Sequence, residues 1–161
     1  MTRVLELSRA EADTTRVETL DFEEVVRAGA ASCRGPRPID VDYRAARRHV
    51  RGRRALLLSM LGNLLDNAQH HAAAGSRITV RVEDGGAGGL RTSVHNLGAA
   101  ISPANLPRVW DRFFTTRAEV GGTGLGLAIV ASIVRAHGGT VAVESDAAAG
   151  TTFALELPAD P

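Results

Sequence analysis

The sequence contains no lysine: every one of its 19 basic residues is arginine. A Walker-type phosphate loop needs a lysine after its last glycine. The eukaryotic-type protein kinase needs one on a strand, and a Schiff-base enzyme needs an amine nucleophile. All three classes are excluded. Cys33 is the one cysteine, so no internal disulfide forms, and the chain suits a reducing compartment. Aromatic residues make up only 4% of the chain, which gives weight to where they fall. No apolar run is long enough to span a bilayer, and the N-terminus does not read as a signal peptide. Any membrane part is therefore expected outside these residues. The formal net charge of +1 gives no bulk field that points to nucleic acid or a membrane surface.

What is present, 161 residues of ordinary globular composition, suits one domain with its own core. Residues 1–15 read as the end of a helix, with Val4, Leu5 and Leu7 apolar between charges. Asp21 is placed to cap a helix from Phe22 to about Ser32, with Glu23 and Glu24 in its first turn. IDVDYR and ARRHV are candidate short strands. Arg54 to Ala74 is the strongest helix, since Leu57, Met60, Leu61, Leu64, Leu65 and Ala68 recur at helical spacing. SRITVRVED and LRTSVHN alternate as strands around the turn Gly85–Gly89. Residues 97–123 are irregular, with a helical piece around Leu106 to Phe113. A helix follows from Gly124 to His137, and GTVAVESD with GTTFALELP makes a final hairpin. Helices and a long loop interleaved with mostly antiparallel strands predict a two-layer α/β sandwich rather than a doubly wound fold.

Four stretches carry the chemistry. In GGTGLGLAI, Gly122, Gly124 and Gly126 alternate before a helix, which suits close approach of backbone N–H groups to a phosphate. A dinucleotide fingerprint fails here: its third glycine would fall on Leu127, and a loop rather than a strand precedes it. Taken alone, a flexible loop explains the glycines equally well. In NLLDNAQHHA, Asn63 and Asn67 are four apart and project from one helix face. Two amides there are costly unless partnered, and amide oxygen is a hard ligand suited to Mg²⁺. Helix–loop hydrogen bonds are the plainer alternative. In VHNLGAAI, Asn96 and Gly98 end a strand, where a side chain is placed to meet a base edge while the backbone turns tightly. In LPRVWDRFF, Trp110, Phe113 and Phe114 concentrate the aromatic surface, as anchors of the loop.

In this order and spacing the four stretches resemble the ATP-binding catalytic domain of bacterial two-component sensor histidine kinases, which is related to gyrase-type and heat-shock chaperone ATPases. NLLDNA is similar to the family's N box, VHNLGAAI to its first glycine box, WDRFF to its F box, and GGTGLGLAI to its second glycine box. The resemblance covers residues 20–158. It implies an α+β (Bergerat-type) sandwich, with a mixed, mostly antiparallel five-stranded sheet packed on three helices and closed by an ATP lid from about Ala99 to Gly121. Residues 1–15 resemble the tail of the preceding dimerisation helix, leaving 16–161 as the catalytic domain.

The resemblance implies the following roles. Asn63 and Asn67 are the catalytic residues and hold Mg²⁺ and the phosphates of ATP. His70, His71, Asn96, Gly98, Ala100, Ile101, Arg112, Phe113, Arg117, Gly122, Thr123, Gly124, Leu125, Gly126, Leu127 and Thr152 complete the ATP site. Arg112 and Arg117 are the lid cations expected to reach phosphate. The γ-phosphoryl group goes to a histidine of the dimerisation domain and then to a response regulator, in the cytoplasm, beneath a membrane-bound sensor. None of His49, His70, His71, His95 and His137 has the acceptor's setting, so the isolated chain, expected to be monomeric, should not phosphorylate itself.

The sequence departs from the family at several positions. Relatives that hydrolyse ATP carry Glu where Asn63 stands; Asn cannot serve as a base, which favours a kinase over a stand-alone ATPase. Asn96 replaces the usual Asp. An amide can face adenine or, flipped, guanine, so weaker discrimination against GTP is expected. Ala100 replaces a glycine and stiffens the lid hinge. His70 stands where many members carry Lys or Arg, so nucleotide affinity should rise as pH falls. These substitutions also admit a second reading, a degenerate nucleotide-binding module that serves as a docking surface.

Overall fold

In a computed structural model of the chain, the described residues are 16–116, 122–158 and 160; the expected helix over 1–15 lies outside them. Strand β1 (Glu18–Asp21) leads directly into helix α1 (Phe22–Ser32). The Asp21 carboxylate accepts from Glu24 N at 3.1 Å and caps the helix, with Glu23 and Glu24 in the first turn. Then come β2 (Ile39–Tyr43), β3 (His49–Gly52), helix α2 (Arg54–His71), β4 (Ile78–Asp84), β5 (Leu90–Asn96), helix α3 (Gly126–Ala136), β6 (Thr140–Asp146) and β7 (Gly150–Leu157).

Five strands form one sheet in the order β2-β4-β5-β7-β6. Only the β2–β4 pair is parallel. The three helices pack on this sheet as the second layer. Leu57, Met60, Leu61, Leu64, Leu65 and Ala68, the apolar face of α2, are all buried against it, together with Ile78, Val80, Val82, Val94 and Phe153. The expected mixed five-stranded, two-layer architecture is the observed one.

Several boundaries differ from expectation, each for a local reason. Helix α2 stops at His71, because Ala73 N leaves the helical ladder and donates to Leu97 O at 2.7 Å, tying the helix end to the end of β5. ARRHV is only partly strand: Ala46 N and Arg47 N are taken by the Asp84 carboxylate as a loop. The strand His49–Gly52 pairs with β1 in a separate two-stranded sheet. Helix α3 begins at Gly126, two residues later than expected, because Gly124 has φ +71 and so cannot be helical. The helical piece near Leu106 shortens to a 3₁₀ turn, Leu106–Arg108.

The aromatic stretch divides. Trp110 sits edge-on to Phe153, with ring centroids 5.6 Å apart, and Trp110 and Phe114 pack on the core. Arg108 lies over the Phe114 ring. Phe113 is instead 73% exposed, with φ +66.

His137 caps α3. Its Nδ1 donates to Ile133 O at 2.7 Å, and its Nε2 accepts from Arg53 N at 3.2 Å, just before α2 begins. The C-terminus of α3 is thereby joined to the N-terminus of α2. No helix among the described residues is long and apolar enough to cross a membrane.

Candidate functional site

A cavity of about 830 Å³ opens between α2, the N-terminus of α3 and the segment that joins β5 to α3. It is within the usual range for a small-molecule site. Asn63, Asp66, Asn67 and His70 line it from α2. Their spacing of three, four and seven residues places them on one face, opposite the apolar face that holds the helix to the sheet. That segregation lets one helix serve core and cavity together.

The Asn63 amide is oriented by its own helix. Its Nδ2 donates to Ser59 O at 2.8 Å. A carbonyl can only accept, so the nitrogen faces Ser59 and Oδ1 faces away. A Cβ placed on Gly126 would lie 3.2 Å from that oxygen, so Asn63 Oδ1 is held against the first turn of α3. The Asn67 side chain is half-buried and hydrogen-bonds to no other described residue. Among the described residues no cluster of His, Cys, Asp and Glu is arranged to hold a metal. A metal here would be held through amide oxygen and through oxygens of its own ligand. That donor set suits Mg²⁺, which keeps few protein ligands.

Gly122, Thr123, Gly124, Leu125, Gly126 and Leu127 all line the cavity. Gly124 is required where it stands: a Cβ there would lie 2.4 Å from the Phe113 carbonyl carbon. Phe113 N donates to Gly124 O at 2.9 Å across the same contact. The opposite wall carries Ala100 and Ile101, and His71 joins His70 at the end of α2. His70 Nδ1 donates to Asp66 O at 2.7 Å, which leaves Nε2 as the ring nitrogen open to another partner. Beneath Asp66, burial first and then the Asp66 charge push the Cys33 thiol up. That holds it in the unreactive protonated form.

At the floor, Asn96 is 2% exposed and its Nδ2 donates to Leu97 O at 3.1 Å. The freedom to flip, expected from sequence, is thus lost. Turning the amide would set its oxygen against the Leu97 carbonyl. Among the described residues Asn96 Oδ1 has no partner, and the only sealed side-chain polar atoms without one are Arg37 Nε and Thr92 Oγ1. Asn96 therefore presents an acceptor to the cavity.

Four expected site residues lie off the lining. Gly98 packs behind it, where a Cβ would lie 2.1 Å from His71 O, so its lack of a side chain fixes the root of the long segment. Arg112 and Phe113 are exposed outside the cavity. Thr152 is corrected to Thr151: β7 alternates, and Thr151 and Phe153 are the residues that face the cavity. Arg117 lies outside the described residues. Ser102, Asn105, Thr115 and Thr116 also line the cavity and were not anticipated, because only the folding of the segment brings them there. Among the described residues no arginine lines the cavity and Asp66 is the one carboxylate that does.

A helix N-terminus facing oriented amides across a cavity walled by a two-layer sandwich defines a class of nucleotide-binding fold. Residues 52–161 match the family described as histidine kinase-, DNA gyrase B- and HSP90-like ATPases, and the chain belongs to that family. It is 42% identical over 127 residues to the sensor histidine kinase CusS of Escherichia coli K12, covering 76% of this chain and 26% of that protein. It is 34% identical over 147 residues to the sensor-like histidine kinase SenX3 of Mycobacterium tuberculosis H37Rv, covering 89% and 35%. Among solved structures, the mycobacterial sensor histidine kinase MprB superposes with TM-score 0.75 at 27% identity, over 91% of this chain and 99% of that one. Full-length ShkA, solved in complex with AMPPNP, superposes with TM-score 0.74 at 26% identity, over 89% and 31%. The chain spans about a quarter to a third of the length of these curated relatives.

Proposed function

We propose that this chain is the catalytic domain of a two-component sensor histidine kinase. It would bind Mg–ATP in the cavity and donate the γ-phosphoryl group to a histidine on a preceding dimerisation domain. The observation that carries this reading is the placement of Asn63 Oδ1 and Asn67 opposite the glycine-rich start of α3. The glycines let phosphate oxygens approach backbone N–H groups and the positive end of the helix. Asn63 and Asn67 offer amide oxygens to a magnesium ion, which when bound offsets the charge of the phosphate oxygens. Asn96 Oδ1 accepts from the amino group of adenine.

Catalysis in this domain is positioning and charge neutralisation, with no covalent step on its own side chains. Asn63 has no titratable group to activate water, which favours transfer to an imidazole over hydrolysis. His95 is committed to Ala149 O, and His137 is tied between Ile133 O and Arg53 N. As none of the five histidines has the acceptor's sequence setting, we place the acceptor on another domain, and the isolated chain is expected to bind ATP as a monomer without phosphorylating itself. A response regulator would receive the phosphoryl group next, on the cytoplasmic side of a membrane-bound sensor. Arg117 is the lid cation that would reach the phosphates.

Asn96, Ala100 and His70, which stand where the family usually carries Asp, Gly and Lys or Arg, favour one second reading, a nucleotide-binding module that serves mainly as a docking surface. Isothermal titration with a non-hydrolysable ATP analogue separates the two. The kinase reading expects micromolar binding that weakens without Mg²⁺ and falls at least about tenfold in Asn67→Ala, the loss of one ligand oxygen. No binding with or without Mg²⁺ would move the docking module to first place.

A further inference from the structure

A second cavity, of about 350 Å³, opens at the far end of α2 from the first and shares no lining residue with it. Five elements meet there: the entry to β1, the end of β3, the first turn of α2, the last turn of α3 and the exit from β7. Val17, Leu56, Ala136 and Pro158 make its walls, and the exposed Arg51 and Arg53 its rim. Val17 is 44% exposed, so apolar surface is left open to solvent beside two cations. The volume lies at the lower end of the small-molecule range and suits a short aliphatic chain.

The charge at the rim is uncompensated. Arg27, Arg44, Arg48, Arg77 and Arg81 each hold a carboxylate. Arg51 and Arg53 hold none among the described residues. No acidic residue lines the cavity, and the first turn of α2 carries none. Glu18, the register partner of Gly52, and Asp160, which accepts from Thr19 Oγ1, stay off the lining. Two guanidiniums beside open apolar surface call for a ligand with an anionic end, and their planar forks match the two oxygens of a carboxylate. His137, at the floor, cannot serve as the anchor. Its Nδ1 is committed to Ile133 O and its Nε2 to Arg53 N. Its ring also needs the bare backbone of Gly52, where a Cβ would lie 2.7 Å from Cδ2.

We propose that this cavity binds a small aliphatic carboxylate, with its chain against Val17, Leu56, Ala136 and Pro158 and its charged end on the Arg51 and Arg53 guanidiniums. The site is independent of the nucleotide-binding reading above. The apolar walls favour this ligand over a bare inorganic anion. The two guanidiniums favour it over an alcohol or an amine of equal length. Arg53 gives its backbone N–H to His137 and its side chain to the rim, so an occupant touches the residue that joins α2 to α3.

The test is titration of the chain with hexanoate, followed by backbone amide chemical shifts, with acetate, 1-hexanol and hexylamine as controls. Hexanoate is expected to bind at roughly millimolar or tighter, the range open to so small a ligand, and to move the amides of Val17, Leu56 and Ala136. Acetate should bind at least about tenfold more weakly, since each buried methylene is worth about fourfold. 1-Hexanol should also lose about tenfold, for want of the charge-assisted hydrogen bonds, and hexylamine should not bind. Two variants at exposed positions separate the parts of the site. The double change Arg51→Gln, Arg53→Gln removes the charge and keeps the cavity; Ala136→Leu fills the cavity and keeps the charge. Each is expected to weaken hexanoate at least about tenfold, with the thermal midpoint of each read as the check on folding. If Ala136→Leu does not fold, the arginine variant decides alone. No hexanoate binding at about ten times the expected concentration, 1-hexanol binding as tightly as hexanoate, shifts confined to the first cavity, or affinity unmoved in either folded variant overturns the proposal.

Discussion

Replacing Gly126 with alanine should move stability and nucleotide affinity in opposite directions. Gly126 is the first residue of α3, and its backbone does not sit at positive φ. Alanine fits that conformation and narrows the unfolded ensemble, a gain of about 0.4–1 kcal/mol. At the first helical position the lower end applies, about 0.5 kcal/mol, or roughly 1–2 °C in Tm for a domain of this size. The new methyl would lie 3.2 Å from Asn63 Oδ1, so that oxygen must give way by a few tenths of an ångström. It is the same oxygen assigned to the metal and phosphates. Losing one such contact costs about 1–2 kcal/mol, a five- to thirty-fold loss of affinity for an Mg²⁺-bound ATP analogue. Differential scanning fluorimetry and isothermal titration on the same preparation read the two effects. Unchanged affinity with a raised Tm would refute the role of Asn63 Oδ1. Affinity and Tm falling together would mean a packing defect in place of a blocked ligand.

Two further outcomes follow from the body of the domain. Thr92 is 1% exposed, and its Oγ1 is sealed without a partner. Thr92→Val keeps the shape, removes an unpaired hydroxyl and should stabilise the fold by about 1 kcal/mol, seen as a higher urea midpoint at unchanged slope; a lower midpoint would reveal a hidden partner. Tyr43 is the one tyrosine; burial, then the nearby Asp21 and Glu23 charges, push its phenol up to about 12. The folded state thus favours neutral phenol. Its contribution is fully present below pH 10, the unfolded value, and is lost as pH rises towards 12. Phenolate absorbance should stay low through pH 10, and a native midpoint near 10 would contradict that environment.

The α2 face was legible because it needs only helical period: Asn63 and Asn67 had to share a side, and the apolar stripe had to take the other. Asp21 was legible as a cap because capping is local. The residues at the cavity floor were not. The resemblance points to Thr152, whereas Thr151 lines the cavity; Phe153, one of the chain's few aromatics, marks the inward parity of β7 by alternation. The orientation of Asn96 depends on Leu97 O and on a fold that leaves Oδ1 open, which no single-sequence pattern encodes. The start of α3 was placed early because glycine spacing says nothing of the sign of φ, and Gly124 takes the left-handed region to pass Phe113. Strand β1 has only four residues and a partner from a distant stretch, so its pairing had no local signature.

The bond between His137 and Arg53 N has a mechanical consequence. It fastens α2 and α3 at one end, while the cavity occupies the other. At 1.5 Å per residue, Asn67 lies about 20 Å along α2 from that fastening. Any rigid swing of α2 about the joint is therefore magnified by leverage, and a turn of roughly 5° carries Asn67 through about 2 Å. A looser or tighter grip at the Arg53 end would then change the gape of the cavity with no lining residue altered.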